Sequence, residues 1–346
     1  MPETHGKAVV VSGIRATGQM HLGNYLGVLE RFARLSNDPE KQCFFFVADL
    51  HTLTTFKDSQ LIRAHAPEIV LDMLAAGVNA ETSIIYAQSD VPIVGELSWL
   101  LACLTSVSDL TGLPTFKDKA KKHAEDVNAG LLFYPVLMAA DILGPRANFV
   151  PVGEDQMPHL ELTIAIARRF NRMYGTYFPT PDKMTNEACS VPGLVALDPE
   201  GHFAKMGKSE DPERTIYLVD DALAIERKVR RAPTDPARAR RTDPGNPEKC
   251  AIFEFHRLLS SGSELAWANE GCRSAGISCL ECKDVVIKNT NARLAAFHER
   301  RVELTRHPER LREILHEGGA RARTVFGETT AYVADKMGVY HEQSRK

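Results

Sequence analysis

The sequence predicts an α/β fold, with a parallel sheet wrapped by helices in the first part of the chain and a mainly α-helical second part. Short apolar runs of strand length alternate with longer helical patterns up to about residue 200, and from about Asp211 onward the strand-like runs disappear. Alternation of strands and helices is typical of parallel sheets, whose ligands bind beyond the carboxyl ends of the strands. A chain of 346 residues is also long enough for two domains, which we place at 1–200 and 201–346.

Four apolar runs of strand length and two helical patterns define the first part. The predicted strands are 8–12 (AVVVS), 43–48 (CFFFVA), 83–87 (SIIYA) and, more weakly, 148–152. The first predicted helix carries apolar residues at spacings of 4, 3 and 3, namely Leu22, Leu26, Leu29 and Phe32. A second helix is predicted over 61–76, because the helical pattern stops at Gly77. In the second part, four prolines within 233–247 predict a long structured loop between helices.

Composition excludes several classes of protein. With 44% hydrophobic residues, 25% charged residues and a formal net charge of -3, the chain resembles an ordinary globular protein and has no overall basic character that would attract nucleic acid. Its most apolar stretch, 91–104, is interrupted by Glu96 and is too short for a membrane helix. The seven cysteines are an odd number and are typical of reduced thiols. We therefore expect a cytoplasmic protein with no membrane or DNA partner.

A glycine-bearing turn joins the first strand to the first helix over residues 12–24 (SGIRATGQMHLGN). Such a turn presents backbone N–H groups and the positive end of a helix dipole to an anion, typically phosphate. The turn contains neither GxGxxG nor the P-loop pattern, so it predicts neither of those sites. For the string HLGN alone, an ordinary turn with a surface histidine is an equally good interpretation.

A second motif occupies residues 205–209 (KMGKS). Lys205 and Lys208 lie three residues apart beside a glycine and a serine, which would make a mobile cationic loop suited to a polyphosphate. Taken alone, a solvated basic turn explains this segment better. The ordered pair of motifs in one α/β chain is much harder to explain by chance.

Together, HLGN and KMGKS resemble the HIGH and KMSKS signatures of class I aminoacyl-tRNA synthetases. The stretches YPVLMAADIL (134–143) and VPVGEDQ (150–156) are similar to those of the bacterial tryptophanyl-tRNA synthetases, and the resemblance covers nearly the whole chain. It implies a Rossmann-like catalytic domain over 1–200, then the KMGKS loop and a helical anticodon-binding domain over 201–346. The chain departs from the family pattern at Asn24 (the second histidine of HIGH), Gly207 (a serine in KMSKS) and Arg15 (often glutamine).

The resemblance implies ATP-dependent activation of L-tryptophan to tryptophanyl-adenylate, followed by transfer to tRNA(Trp). A carboxylate is already a nucleophile, so the first step needs no general base and depends on positioning and on stabilising negative charge. That stabilisation is implied for His21, Lys205 and Lys208, with Mg²⁺ on the phosphates. The implied ATP-binding residues are Arg15, Ala16, Thr17, Gly23, Asn24, Lys119, Gly153, Glu154, Asp155, Lys205, Met206, Gly207, Lys208 and Ser209. Lys119 is nearly as well explained as an exposed helix lysine, and Gly23 also suits close packing.

Tryptophan differs from other large apolar amino acids by an indole N–H, which the buried carboxylate of Asp141 could accept. Met138 lies three residues earlier on the same helical face and suits the flat ring. The resemblance implies that Tyr134 and Gln156 hold the α-amino group of the substrate. His51 is a further candidate, and a hydrogen-bonded core histidine is an equal alternative. A structural ion pair is the alternative for Asp141, and core packing for Met138.

Three other functions compete with this interpretation. A tyrosyl-tRNA synthetase would share fold and chemistry, but the MAAD and GEDQ strings argue against it. A small nucleotidyltransferase would not explain the tryptophan-pocket residues. A non-catalytic RNA-binding or regulatory paralogue is favoured only by Arg15 and Gly207.

The resemblance further implies a homodimer.

Seven cations fall within fifteen residues of the second part and predict a phosphate-contacting surface for tRNA. They are Arg227, Lys228, Arg230, Arg231, Arg238, Arg240 and Arg241. For any single one of them, a solvated helix face or loop is the better explanation.

Four of the seven cysteines lie close together in the second part, in the pattern C-x21-C-x6-C-x2-C. They are Cys250, Cys272, Cys279 and Cys282. Four thiolates suit tetrahedral zinc or a [4Fe–4S] cluster, and zinc sites usually pair two CxxC knuckles where this chain has one. The segment resembles that of a subset of bacterial tryptophanyl-tRNA synthetases with a [4Fe–4S] cluster, so the resemblance implies iron–sulfur, with zinc as the alternative.

Overall fold

A computed structural model describes residues 6–117, 127–184, 191–198, 200–207 and 211–339. In these ranges one sheet contains five parallel strands in the order β3-β2-β1-β4-β5. The strands are β1 (Ala8–Ile14), β2 (Lys41–Val47), β3 (Ile84–Ala87), β4 (Phe149–Val150) and β5 (Asp182–Lys183). The predicted α/β class with a parallel sheet is therefore confirmed.

The four predicted strands are all present, and the fifth is one that the sequence does not indicate. β4 is only two residues long, shorter than the predicted 148–152. β5 consists of Asp182 and Lys183, which pair with Phe149 and Val150. A polar strand of two residues carries no apolar run, so only its pairing identifies it.

Helices connect the strands and form the rest of the chain. They are α1 (Leu22–Asn24), continued by a π-helical turn (Tyr25–Leu29) into α2 (Glu30–Ser36), then α3 (Asp49–Thr52), α4 (Ser59–Ala75), α5 (Ile93–Ala102), α6 (Val107–Gly112), α7 (Ala129–Leu143), α8 (Met157–Tyr174), α9 (Ala222–Arg231), α10 (Ala251–Leu259), α11 (Gly262–Arg273), α12 (Cys279–Thr305) and α13 (Pro308–Lys336). Single turns of 3₁₀ helix occur at Gln88–Asp90, Glu154–Gln156, Pro212–Arg214 and Pro247–Lys249. After β5, the described residues form no further strand, as the sequence predicts.

Caps explain where the helices begin. Asp58 accepts hydrogen bonds from the backbone N–H groups of Gln60 and Leu61 at the start of α4, and Gly77, with φ of 97°, follows its end. Asn128 caps α7 in the same way through the N–H of Leu131. The boundaries of α4 agree with the helix predicted over 61–76.

Both faces of the sheet are buried. Val10, Phe45 and Ile85 pack into one apolar cluster, and their strand neighbours, such as Val11 and Phe44, pack into a second cluster on the other face. Because side chains alternate along a strand, only a sheet covered on both sides needs continuous apolar runs such as these.

The last helix, α13, packs against the edge strand β3. Gly318 lies so close to β3 that a Cβ there would be 1.8 Å from the carbonyl oxygen of Ile85. Thr329 Oγ1 donates to the carbonyl of Gly144, 2.7 Å away, and the fully buried Phe326 belongs to the second apolar cluster. The helical part of the chain thus shares a core with the sheet.

Among the described helices, none is both long and apolar enough to cross a membrane.

Candidate active site

The main cavity formed by the described residues lies at the carboxyl ends of β1 and β4 and has a volume of about 560 Å³. The chain runs from β1 to β2 and β3 on one side of the sheet and returns to β4 and β5 on the other. Ligands of open parallel sheets bind at this point of reversal. The cavity is lined by ten of the predicted site residues: Arg15, Thr17, Asn24, His51, Tyr134, Met138, Asp141, Gly153, Asp155 and Gln156.

Asp141 lies at the buried end of this cavity, on α7, and its residue is only 2% exposed. Its Oδ2 is 2.8 Å from His51 Nε2. The side-chain amide of Gln88 donates to both carboxylate oxygens, with Nε2 2.9 Å from Oδ1 and 2.8 Å from Oδ2. Because a buried carboxylate is costly without such donors, these contacts stabilise its ionised form.

Burial nevertheless raises the pKa of Asp141 above its ordinary value, and the hydrogen bonds from His51 and Gln88 oppose that rise. Asp49 adds a smaller effect in the same direction as burial. A carboxylate that receives N–H donors on its buried side and lines the cavity is suited to accept one further N–H from a ligand.

Met138 follows Tyr134 by four residues and precedes Asp141 by three, so all three residues stand on the same face of α7. The hydroxyl of Tyr134 is 2.7 Å from Nε2 of the buried His159 and 3.2 Å from the Oγ1 of Thr115. Burial raises the pKa of Tyr134, so its hydroxyl stays neutral and available for hydrogen bonding. These contacts hold the phenol ring at the cavity wall.

The turn after β1 has one cationic side chain at the cavity. Arg15 donates to the Oγ1 of Thr55, 2.6 Å away, and burial lowers its pKa. Ala16 is buried behind the wall, where its backbone N–H donates to the Oγ1 of Thr52 at 3.0 Å. Thr17 lines the cavity and Ala16 does not.

The HLGN segment forms the start of the first helix. Asn24 lines the cavity, and its Oδ1 accepts from the backbone N–H of His21 at 3.1 Å. His21 is buried and lies outside the cavity lining. A Cβ on Gly23 would be 3.0 Å from the imidazole ring of His21, so Gly23 allows close packing. Gly23 does not line the cavity.

The GEDQ segment follows β4 and forms one turn of 3₁₀ helix. Gly153, Asp155 and Gln156 line the cavity, and Gln156 Nε2 donates to Asp155 Oδ2 at 2.7 Å. Glu154 points away, with its side chain 80% exposed and 3.8 Å from Lys183 Nζ. The four residues therefore divide between the cavity and the surface.

The KMGKS segment is described only in part. Lys205 is exposed and pairs through its backbone with Pro192, while Met206 is buried and Gly207 follows it. None of these three residues lines the cavity. Lys119, Lys208 and Ser209 lie outside the described residues.

The four clustered cysteines line one small cavity of about 20 Å³ together with Asp235 and Arg238. Cys279 and Cys282 stand in the first turn of α12. Among the described residues, no three of the cysteine sulfurs lie within 4.8 Å of one another. Ligands of a single zinc ion would be only about 3.8 Å apart, given a Zn–S bond of about 2.3 Å in a tetrahedron.

Contacts around these sulfurs are close. A Cβ on Gly245 would be 2.6 Å from Cys272 Sγ, and His256 Nε2 is 3.2 Å from Cys282 Sγ. Burial raises the pKa of Cys282 to about 12 and also raises that of Cys250. The site thus brings together four thiols from three helix ends, as the spacing predicts.

The prediction of a cationic surface is wrong for Lys228, and carboxylates pair with four of the six arginines. Lys228 is buried, with its Nζ 2.6 Å from Asp220 Oδ2 and 2.9 Å from the carbonyl of Thr215. It therefore stabilises the fold and cannot contact a phosphate. Four of the arginines form ion pairs with carboxylates: Arg227 and Arg231 with Glu213, Arg230 with Glu226 and Asp284, and Arg241 with Glu281. Arg238 points to the cysteine cavity, and Arg240 is exposed.

The sequence analysis does not identify three residues of the site, namely Gln88, Thr115 and His159. Gln88 directly follows β3, so its place at the carboxyl end of a parallel strand was an available signal. His159 follows the GEDQ segment by three residues and faces Tyr134. Thr115 carries no sequence signal, because only the fold brings it to α7.

The comparison with known proteins agrees with this geometry. The profile of the family described as tRNA synthetases class I (W and Y) matches residues 3–295. Tryptophan–tRNA ligases of Deinococcus radiodurans and Thermotoga maritima are 40% and 39% identical to the chain, and each alignment covers 95% of this chain and 98% of the relative.

A solved structure of tryptophanyl-tRNA synthetase from Campylobacter jejuni, complexed with ADP and tryptophan, superimposes with a TM-score of 0.81 at 30% identity. The superposition covers 95% of this chain and 99% of that protein. The parallel sheet, the cavity at its point of reversal and the match over most of the sequence lead to one conclusion: the chain belongs to the class I tRNA synthetases of the tryptophan and tyrosine family.

Proposed function

We propose that the chain is a tryptophan–tRNA ligase, which activates L-tryptophan with ATP and transfers it to tRNA(Trp). The observation that carries this assignment is the buried carboxylate of Asp141, which lines the cavity close to Met138 and Ile142. An indole N–H satisfies this acceptor, whereas a phenylalanine side chain would leave the buried charge without its partner. Met138 lies one helical turn away and offers sulfur to the indole ring.

The remaining cavity residues provide the other contacts. We assign the α-amino group to Tyr134, whose hydroxyl contacts His159, and to Gln156, whose amide donates to Asp155; binding there would direct the carboxylate toward ATP. Asn24 and Gly153 also line the cavity, and we assign them to the nucleotide. Holding both reactants in one cavity replaces a bimolecular encounter by an oriented one.

In this proposal, cations from the turn after β1 and from the KMGKS loop stabilise the negative charge on the phosphates. Arg15 already lines the cavity, and we assign Lys205, Lys208 and Lys119 to the phosphates on the family pattern. We assign His21 to this region because its backbone shares the hydrogen bonds of Asn24. Among the described residues, the one cluster of potential metal ligands, Asp198 with Glu200 and His202, is away from the cavity. Mg²⁺ would therefore bind through the phosphates of ATP, whose charge it neutralises.

Four thiolates at the cysteine cavity suit a [4Fe–4S] cluster or a zinc ion. In such a cluster each thiolate binds its own iron, so the sulfurs stand farther apart than around a single ion. No three of the described sulfurs lie within 4.8 Å of one another, and this spacing favours the cluster over a single zinc ion. We propose that Cys250, Cys272, Cys279 and Cys282 hold this cluster, which fastens α10, α11 and α12 to one another in the tRNA-binding part of the chain.

A homodimer and a cytoplasmic location complete the proposal. Trp99, on α5, and Val107, the first residue of α6, are 67% and 69% exposed. We place the contact between two copies there. Charging of tRNA supplies translation, which takes place in the cytoplasm.

Pyrophosphate exchange tests the activity. Pure protein with ATP and Mg²⁺ should exchange labelled pyrophosphate when L-tryptophan is added, and not when L-tyrosine is added, and it should then charge tRNA(Trp). Exchange that depends on tyrosine would assign the chain to the sister enzyme, and no exchange with either amino acid would favour a non-catalytic protein.

Metal analysis tests the cluster. Protein purified without oxygen should be brown and contain about four irons per chain. Cys272→Ser should lose the iron, whereas Cys103→Ser, at an exposed cysteine outside the cavity, should keep it. One zinc per chain without iron would exclude the cluster and retain the site, and four free thiols without metal would exclude both.

A further inference from the structure

Gln88 is the one side chain that contacts both carboxylate oxygens of Asp141, among the residues that the structure describes. It is fully buried, stands in the single 3₁₀ turn after β3, and does not line the cavity. It therefore acts on Asp141 from behind and cannot touch a ligand.

The orientation of this amide is determined by its second contact. Gln88 Oε1 accepts the backbone N–H of His51 at 3.3 Å. A backbone N–H can only donate, so the oxygen of the amide must face His51 and the NH₂ group must face Asp141. Each end of the amide has a defined partner.

Counting acceptor positions shows what this arrangement leaves open. An ionised carboxylate offers about four positions, two on each oxygen. Oδ2 receives His51 Nε2 and Gln88, and Oδ1 receives Gln88 alone. Within the described residues, one acceptor position therefore remains, on Oδ1 of a side chain that lines the cavity.

We propose that Gln88 is a positioning residue that determines specificity for tryptophan, because it holds Asp141 ionised and rotated with one free acceptor position for the indole N–H. This inference rests on the proposed tryptophan activation. Without the amide, the buried carboxylate would retain only His51, and it would take up a proton or rotate toward the imidazole. Either change removes the acceptor that distinguishes an indole from an isosteric ring without N–H.

The test compares two amino acids that differ in this one group. In 3-benzothienylalanine a sulfur atom replaces the indole N–H, and the two rings have nearly the same shape. We define the N–H selectivity as kcat/KM for tryptophan divided by kcat/KM for this analogue, both from pyrophosphate exchange. Gln88→Met keeps the length of the side chain and removes its donors. Gln88→Glu keeps the acceptor for His51 and places an oxygen against Asp141.

The matched control is Gln42→Leu. Gln42 lies near the start of β2, away from the cavity, and its amide donates to the carbonyl of Thr82 at 3.2 Å. The control therefore also loses one amide hydrogen bond, at a site that has no contact with Asp141.

The expected result is a loss of N–H selectivity by roughly tenfold or more in Gln88→Met. The value of kcat/KM for the analogue and KM for ATP should stay close to those of the natural sequence. Gln88→Glu should lose at least as much selectivity, and it replaces Gln88→Met if that variant does not fold. Gln42→Leu should retain the full selectivity.

One result would overturn the proposed function, and another would overturn the inference about Gln88. If the natural sequence does not activate tryptophan, the proposed function fails. If it activates tryptophan with high N–H selectivity, and the folded Gln88 variant keeps that selectivity or loses activity equally with both amino acids, then Gln88 is merely structural and the inference is wrong.

Discussion

The contact between α13 and the edge strand predicts opposite effects for two glycine-to-alanine substitutions in the same helix. Alanine is normally favoured over glycine inside a helix by about 1 kcal/mol. At Gly327 the structure has no atom of the described residues within 4 Å of the new Cβ, so this gain should be realised. At Gly318 the Cβ would lie 1.8 Å from the carbonyl oxygen of Ile85 and 2.7 Å from its carbon.

The cost at Gly318 follows from what the methyl group meets. The contact is with backbone of the sheet, not with the movable end of a side chain, and real Cβ atoms stay at least 3.0 Å from such neighbours. Helix and strand must separate by about 1 Å, which loosens the buried Phe326 farther along α13. Overpacking of this kind costs about 3 kcal/mol at the upper end of its usual range. After the helical gain of about 1 kcal/mol, we expect Gly318→Ala to destabilise the protein by about 2 kcal/mol.

Urea unfolding measures the difference. Gly318→Ala should lower the free energy of unfolding and Gly327→Ala should raise it, so that the two variants differ by about 3 kcal/mol with unchanged slopes. If both substitutions stabilise the protein equally, α13 does not lie against β3 as described, and the shared core is refuted.

Three further outcomes follow from buried charges. Asp141→Asn should raise KM for tryptophan by roughly tenfold to a hundredfold with little change in KM for ATP, and an unchanged ratio of tryptophan to phenylalanine activation would show that the carboxylate is only structural. Because burial raises the pKa of Asp141, the carboxylate should gain its proton at a higher pH than an exposed aspartate; KM for tryptophan should therefore rise on acidification before KM for ATP does, and parallel profiles would contradict this. Lys228→Met should destabilise the protein by about 3 kcal/mol, because Asp220, whose side chain is only 12% exposed, loses its cationic partner, whereas Arg240→Met should change stability by less than about 0.5 kcal/mol; calorimetry of both variants checks the pair.

The fold could be predicted wherever burial leaves a pattern in the sequence. β1, β2 and β3 are apolar runs because the sheet is covered on both faces, and α4 is bounded by Asp58 and Gly77, whose roles are local. β5 could not be predicted, since its two polar residues are recognised only by pairing with β4. Local signals thus identify elements that are buried or capped, and pairing identifies the remainder.

The residues of the candidate site also differ in whether local sequence signals identify them. The spacing of Met138 and Asp141 predicts a shared helical face, the family resemblance adds Tyr134, and the structure places all three at the cavity. Gln88 lies 53 residues from Asp141 in sequence, and only the order of the strands brings them together. The error at Lys228 has the same origin, because a count of cations does not show which of them a nearby carboxylate such as Asp220 has drawn into the core.

The boundary between two domains at residue 200 stays a prediction, and it does not describe how the end of the chain supports the beginning. Arg323, on α13, donates to the carbonyl of Asp90 at 2.8 Å, and a Cβ on Gly319 would be 3.2 Å from the Cβ of Asp90. Asp90 ends the same single turn that begins with Gln88. Through Asp90, α13 therefore contacts the same turn whose first residue supplies the amide that contacts Asp141. The last helix is therefore part of the support for the proposed tryptophan site, even though its residues are among the farthest from that site in the sequence.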